Sequence, residues 1–69
     1  MDKYSKIIYW SDDDNSFIVE VPELAGCMAD GSTPEEALHN VSTIIAEWID
    51  TAGILGRKIP EPAVRRISA

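Results

Sequence analysis

Cysteine is almost absent from this chain of 69 residues: Cys27 is the only one, so no disulfide can form within the chain. With a single histidine, His39, the chain has too few soft or imidazole ligands for a structural zinc site. A domain of this size buries roughly 60% of the surface that its unfolded chain exposes, which leaves little surplus stability. Small scaffolds often gain stability by oligomerisation, so we expect a homo-oligomer.

Long hydrophobic runs are absent as well. No apolar segment approaches the roughly 18 residues that a membrane-spanning helix needs, so no membrane partner is expected. The lone cysteine and the lack of a recognisable secretory leader predict a reducing, cytoplasmic setting.

Positive charge is missing from the middle of the chain, whose formal net charge is −6. The charged residues from position 11 to position 50 are all acidic: Asp12, Asp13, Asp14, Glu20, Glu23, Asp30, Glu35, Glu36, Glu47 and Asp50. Such a body repels a phosphate backbone, which disfavours direct binding of nucleic acid. It would attract a basic partner and speed their encounter, although the same charge could serve solubility alone.

The first segments predict an antiparallel hairpin. Two β-rich runs, 4–10 and 16–21, flank the turn-forming sequence SDDDNS. Large apolar residues fall on both faces of the first run, where Ile7 and Tyr9 alternate with Ile8 and Trp10. One helix can cover only one face of a sheet, so we expect another subunit or a partner to cover the other.

Proline and glycine mark the next boundaries. Pro22 ends the second strand because it has no N–H for a ladder, and Gly26 is free to adopt a positive φ. A short third strand is predicted over 27–30, closed by Gly31.

The sequence TPEE predicts the start of a helix, with Thr33 as N-cap, Pro34 at the first position and Glu36 completing a capping box. Apolar residues then follow a helical period: Ala37, Leu38, Val41, Ile44, Ile45, Trp48, Ile49 and Ala52. Gly53 is the predicted stop, giving a helix of about 18 residues.

The predicted fold class is α+β, a three-stranded antiparallel sheet packed on one long helix (βββα). Residues 64–67 add a possible short fourth strand, or belong to a loose tail. Residues 1–69 are expected to form a single domain.

No catalytic constellation is apparent, and no cofactor or metal is expected. His39 falls on the polar helix face and is interpreted as a solvated side chain. Cys27 is interpreted as a buried structural thiol rather than a nucleophile. The acidic run Asp12–Asp14 lacks the spaced ligands of a calcium loop and is interpreted as a solvated turn.

The central motif resembles the signature P-[DE]-L-x-G-C…G-x-T-x-x-E-A of HicB-type antitoxins and their HicB-like relatives. The residues that carry this resemblance are Pro22, Glu23, Leu24, Gly26, Cys27, Gly31, Thr33, Glu36 and Ala37. The sequence IPEP, residues 59–62, is similar to the exit of the same family. Together these residues make the similarity extend over nearly the whole chain.

The resemblance implies a fold like a degenerate ribonuclease H unit and a role in binding and silencing a small basic HicA-type toxin that cleaves messenger RNA. Many members continue into a DNA-binding domain. This chain ends at Ala69 without one, so we expect no direct nucleic-acid binding. An active ribonuclease H would need several carboxylates on a metal, and the first predicted strand offers none in its middle, so no enzyme is expected.

Three hypotheses stay open at this level. The first is a toxin-neutralising interaction module, the second a residual metal-dependent nuclease, and the third a stand-alone oligomeric domain with another protein or ligand partner. For partner contact, the sequence favours the exposed aromatic Trp10, the acidic residues Asp12, Asp13 and Asp14, and Glu23 beside the proline turn.

Overall fold

The computed structural model describes residues 2–63. Strands β1 (Ile7–Ser11), β2 (Ser16–Glu20) and β3 (Met28–Gly31) precede one helix, α1 (Pro34–Ile54). The strands form an antiparallel sheet in the order β1-β2-β3. The predicted βββα fold is therefore confirmed, while the possible strand over 64–67 lies outside the described residues.

The hairpin between β1 and β2 closes where Ser11 pairs with Ser16, and Asn15 adopts a left-handed conformation with φ of 51°. The first strand begins at Ile7, so the prediction that it begins at position 4 is wrong. The reason is that nearby main-chain groups pair with side chains: the N–H of Tyr4 donates to Asp2 and that of Ser5 donates to Glu23.

Two consecutive turns link β2 to β3. The N–H of Leu24 donates to the carbonyl of Val21 (3.1 Å), and the N–H of Cys27 donates to the carbonyl of Leu24 (3.0 Å). Pro22 follows Val21 as the first central residue of the first turn, and Gly26, with φ of 75°, is the second central residue of the next. Because Cys27 belongs to the second turn, β3 begins one residue later than predicted and spans Met28–Gly31 rather than 27–30.

The start of α1 follows the predicted cap with one change. The Oγ1 atom of Thr33 accepts the N–H of Glu36 at 3.1 Å, and Pro34 is the first helical residue. The Glu36 carboxylate, however, accepts the N–H of Ser32 (3.3 Å) rather than that of the cap residue. The cap thus satisfies main-chain donors on both sides of Thr33.

The helix ends later than the sequence suggested, so the prediction that Gly53 stops it is wrong. Gly56 has φ of 69°, and its N–H donates to the carbonyl of Gly53 (3.2 Å). The N–H of Arg57 reaches back to the carbonyl of Ala52 (2.8 Å). This is a Schellman motif, which needs the left-handed conformation at position 56, whereas Gly53 has no positive φ.

The core lies between α1 and one face of the sheet. Its buried members come from the second strand, the two turns and the helix: Val19, Val21, Leu24, Cys27, Ala37, Val41 and Ile45. Two rows of cross-strand neighbours face this side, namely Ile8–Val19–Ala29 and Trp10–Phe17–Gly31. The helix packs on β3 and on β2, and reaches β1 at most marginally.

Close approach at Gly31 fixes where the helix lies. A Cβ atom at this position would stand 2.5 Å from the main-chain nitrogen of Ala37 and 2.9 Å from the carbonyl carbon of Glu36. Beside this contact, the side chain of Asn40 donates to the main-chain carbonyl of Asp30 at 2.8 Å. The first turns of α1 are therefore held directly against β3, and β1 is left beyond the reach of the helix.

We expect Gly31→Ala to lower the free energy of unfolding by about 1–3 kcal/mol, because main-chain atoms cannot yield to an added methyl group as a flexible side chain would. Gly53→Ala is the matched control, since a Cβ there meets nothing within 4 Å. It should raise stability by up to about 1 kcal/mol through helix propensity. Urea unfolding followed by circular dichroism measures both, and equal effects would contradict the close packing.

Candidate protein-interaction surface

The motif residues that carry the family resemblance stabilise the fold, in the turns, the core and the helix cap. Leu24 and Cys27 are buried beneath the turns that Pro22 and Gly26 shape. Burial, with the charge of Asp2, raises the pKa of the Cys27 thiol, so it is less reactive than a free cysteine. The remaining motif residues Gly31, Thr33, Glu36 and Ala37 form the β3–α1 contact and the helix cap.

Glu23 is tied into the protein by its own carboxylate. Its Oε2 atom accepts the N–H of Ser5 and the N–H of Ala63, each at 2.9 Å. The hydroxyl of Tyr4 donates to the carbonyl of Pro60 at 2.6 Å beside this site. Glu23 thus fastens the segments before β1 and after α1 to the proline turn, an arrangement we call the end clamp.

The end clamp has a clear electrostatic signature. Burial alone would raise the pKa of the Glu23 carboxyl, but the hydrogen bonds from Ala63 and Ser5 outweigh it and lower the pKa to about 2. Its other oxygen, Oε1, is buried without a hydrogen-bond partner among the described residues. Because the two main-chain hydrogen bonds lower its pKa, the Glu23 carboxylate stays ionised at neutral pH.

Strand β1 is exposed on both of its faces. The exposed fractions are 53% for Ile7, 38% for Ile8, 41% for Tyr9 and 46% for Trp10. Bulky apolar residues on both faces are typical of an interior strand, but β1 lies at an edge of the sheet. This mismatch between composition and position is the main sign of an interaction surface.

The sheet face opposite the helix is uncovered within the described structure, and we call it the open face. Two rows of neighbours form it, Ile7–Glu20–Met28 and Tyr9–Ile18–Asp30. Tyr9, Ile18, Met28 and Asp30 line a shallow groove of about 280 Å³ together with Asp14 and Ala29. The open face therefore combines an apolar centre with carboxylates at its borders.

Negative charge converges on Tyr9. Desolvation and the carboxylates of Glu20 and Asp14 raise the pKa of its hydroxyl. None of the three strands contributes a lysine or arginine to either sheet face. The electrostatics of the open face thus favour a positively charged group from outside.

On the helix side of the sheet, a second patch is formed by the exposed side chains of Ile8 and Trp10 and the half-buried side chain of Phe17. The rings of Trp10 and Phe17 meet edge to face with centroids 5.1 Å apart. The indole N–H of Trp10 donates to Asp12 at 2.8 Å, and the hydroxyl of Ser11 donates to Asp14 at 2.9 Å. We call this the Trp10 patch.

The predicted contact residues are therefore not in one place. Trp10 and Asp12 belong to the Trp10 patch, Asp14 lies between this patch and the open face, and Asp13 is exposed in the hairpin loop. Glu23 lies in the end clamp. Sequence reasoning missed Met28 and Asp30, which the alternation of β3 opposite Ile18 and Glu20 would have placed on the open face.

The other candidate residues do not come together as a site within the part of the chain that the structure describes. His39 is an exposed residue of α1. Within residues 2–63, no three His, Cys, Asp or Glu side chains come together as a possible metal site. No helix in the same range is both long and apolar enough to span a bilayer.

Comparison with known proteins shows what kind of chain carries these surfaces. A family model described as the HicB-like antitoxin of bacterial toxin-antitoxin systems matches residues 4–68. This chain belongs to the HicB-like antitoxin family. The family assignment confirms the resemblance of the motif, and it suggests a non-catalytic role with a toxin as partner.

Two curated relatives of this HicB-like chain carry names without a stated activity. UPF0150 protein Ta0767 of Thermoplasma acidophilum is 36% identical over 66 residues, covering 96% of this chain and 94% of that protein. UPF0150 protein ssl0259 of a Synechocystis species is 36% identical over 47 residues, covering 68% and 64%. No solved structure matches this HicB-like chain.

The end clamp predicts a specific pH dependence. The folded-state pKa of Glu23, about 2, lies below the ordinary value of 4.5. Its stabilisation is therefore complete above pH 4.5 and is lost as the pH falls towards 2. We expect Glu23→Gln to lower the free energy of unfolding by about 1–2 kcal/mol at neutral pH, since charge-assisted hydrogen bonds are lost.

The measurement is urea unfolding of wild type and of Glu23→Gln between neutral pH and the acidic range near the pKa of Glu23. The difference between their free energies of unfolding should shrink as the pH falls. Glu47→Gln, on the exposed side of α1, is the control, and its free energy of unfolding should stay close to that of wild type at every pH. The end clamp is wrongly assigned if Glu23→Gln behaves like Glu47→Gln.

Proposed function

We propose that this HicB-like chain is a cytoplasmic, non-catalytic antitoxin module that silences a small basic toxin of the HicA type, one that cleaves messenger RNA. The observation that carries the proposal is the open face, an apolar sheet surface bordered by carboxylates. Family membership supplies the class of partner, and the charge of this surface supplies the reason for a basic one.

The chemistry of such a partner fits the open face. A protein that cleaves RNA holds the phosphate backbone with lysine and arginine side chains. Their aliphatic stems would pack on the exposed apolar groups Tyr9 and Met28, while their charged ends would pair with Glu20 and Asp30. Occupying these basic side chains would keep the toxin from its RNA.

The charge of the whole chain supports the same encounter. The net charge of −6 attracts a basic protein over a distance comparable to the Debye length, about 8–10 Å at physiological salt. Apolar contact at the centre of the open face then provides an affinity that charge alone does not. We therefore propose that complex formation is fast and sensitive to salt.

Self-association is part of the proposal. The exposed apolar side chains on both faces of β1 favour a homo-oligomer, because a chain this small gains stability by covering them. An oligomer would also display more than one open face to toxin molecules. A stand-alone oligomer with a different protein partner would use the same surfaces, and the experiment below separates the two.

The test uses the product of any small gene that neighbours the gene for this chain as the candidate toxin. Glu20→Lys/Asp30→Lys should weaken the complex about tenfold or more and restore toxicity in co-expressing cells, since like charges then meet at the open face. Glu47→Lys/Asp50→Lys is the matched control, with the same change in net charge on exposed positions of α1. Affinity is measured by isothermal titration calorimetry at two salt concentrations.

Two results would contradict the proposal. One is equal weakening by both double variants, which would mean that only net charge matters. The other is the absence of any complex between wild type and a basic protein encoded by a neighbouring gene. Cleavage of RNA by the purified chain with magnesium or manganese would overturn the non-catalytic role.

A further inference from the structure

We propose that two copies of this chain associate through β1, pairing antiparallel about a twofold axis at Tyr9 and joining their sheets into one of six strands. The inference rests on the edge of β1 and does not depend on the identity of the toxin. It specifies the interface of the oligomer and the residues that face each other across it.

The two edges of the sheet are not equivalent. At the β3 edge, Asn40 on the helix donates to the main-chain carbonyl of Asp30, and α1 packs closely on the strand. At the β1 edge, no side chain among residues 2–63 bonds to the main chain of Ile7–Trp10. Natural edge strands are protected by proline, bulges or lysine within the strand, and IIYWS has none of these.

The exposed side chains of β1 suit another strand better than solvent. A neighbouring strand would cover Ile7 and Tyr9 on one face and Ile8 and Trp10 on the other at the same time. A helix or loop laid on one face would leave the opposite pair in water. The occupant of the β1 edge is therefore a strand.

Self-pairing is favoured by the geometry of the strand. In an antiparallel pair, two directly opposed residues either both direct their N–H and C=O groups at the partner strand or both direct them away from it. Two copies of β1 can therefore form hydrogen bonds only in registers that oppose odd-numbered residues to odd-numbered ones and even-numbered to even-numbered ones. Centring the axis on Tyr9 opposes Ile7 to Ser11 and Ile8 to Trp10 of the second copy. This register uses the whole of β1, Ile7–Ser11, whereas shifts by a residue in either direction leave part of it unpaired.

Charge supports the same register. Lys6 precedes β1, and its ammonium group pairs with Asp2. Asp12 follows β1 and accepts the indole N–H of Trp10. Antiparallel pairing about Tyr9 places Lys6 of each copy opposite Asp12 of the other, on the side of the sheet that also carries Ile8 and Trp10. Each Lys6, already paired with Asp2 of its own chain, would thus gain a second carboxylate from the other copy, which offsets part of the repulsion between two acidic chains.

The resulting dimer has a functional consequence. Directly opposed residues in a sheet point to the same face, so both open faces would lie on one side and both helices on the other. Tyr9 of each copy would meet at the centre, flanked by carboxylates from both chains. The acid-bordered surface would then be continuous across the two subunits.

The test is the mass of the protein in solution by analytical ultracentrifugation, with circular dichroism as the check on folding. We expect wild type to sediment at twice the 7.6 kDa of one chain. Ile8→Lys should give a folded monomer, because it puts like charges close together across the interface. Ile54→Lys, at a position 78% exposed near the end of α1, is the control and should remain a dimer.

The register has its own test. Lys6→Glu and Asp12→Lys should each raise the dissociation constant of the dimer about tenfold, since each replaces two attractive pairs by repulsive ones. The double exchange Lys6→Glu/Asp12→Lys should restore it. A wild-type monomer, a dimer that survives Ile8→Lys, or a double exchange that restores nothing would each overturn the proposal.

Discussion

The close contact between Gly31 and the first turn of α1 governs the rest of this structure. With only hydrogen at position 31, the main chain of the helix can approach β3 to a distance that no side chain would allow. The helix therefore packs on β3 and β2, and its apolar face is buried against them. Strand β1, rich in large apolar residues, is left substantially exposed on both faces.

This division explains the dense motif between positions 21 and 41. Pro22 and Gly26 fold two tight turns over Leu24 and Cys27, and Thr33 with Glu36 caps the helix that packs on Gly31. The motif residues build the scaffold of the HicB-like fold, and we propose that a partner binds strand residues that do not belong to the signature. On this account the signature identifies the family without marking the residues that face its partner.

Local signals in the sequence were sufficient for most of the fold. Two β-rich runs around SDDDNS predicted the hairpin strands, Pro22 and Gly26 bounded the third strand, and the capping residues with the helical spacing of apolar positions predicted the helix. The helix end was misplaced because Gly53 and Gly56 both fit the pattern, and only the left-handed φ at position 56 distinguishes them. The end clamp could not be predicted, since Glu23 joins Ser5 and Ala63 across the whole chain.

The central claim is that partners occupy the exposed strands and leave the motif as scaffold. Amide hydrogen exchange of the chain alone and with the candidate toxin from a neighbouring gene tests this claim most directly. The account predicts that binding slows exchange in 28–30, the part of the open face outside the β1 contact, while 22–27 and the outer face of α1 change little. Protection confined to the motif turns or to the helix would contradict it.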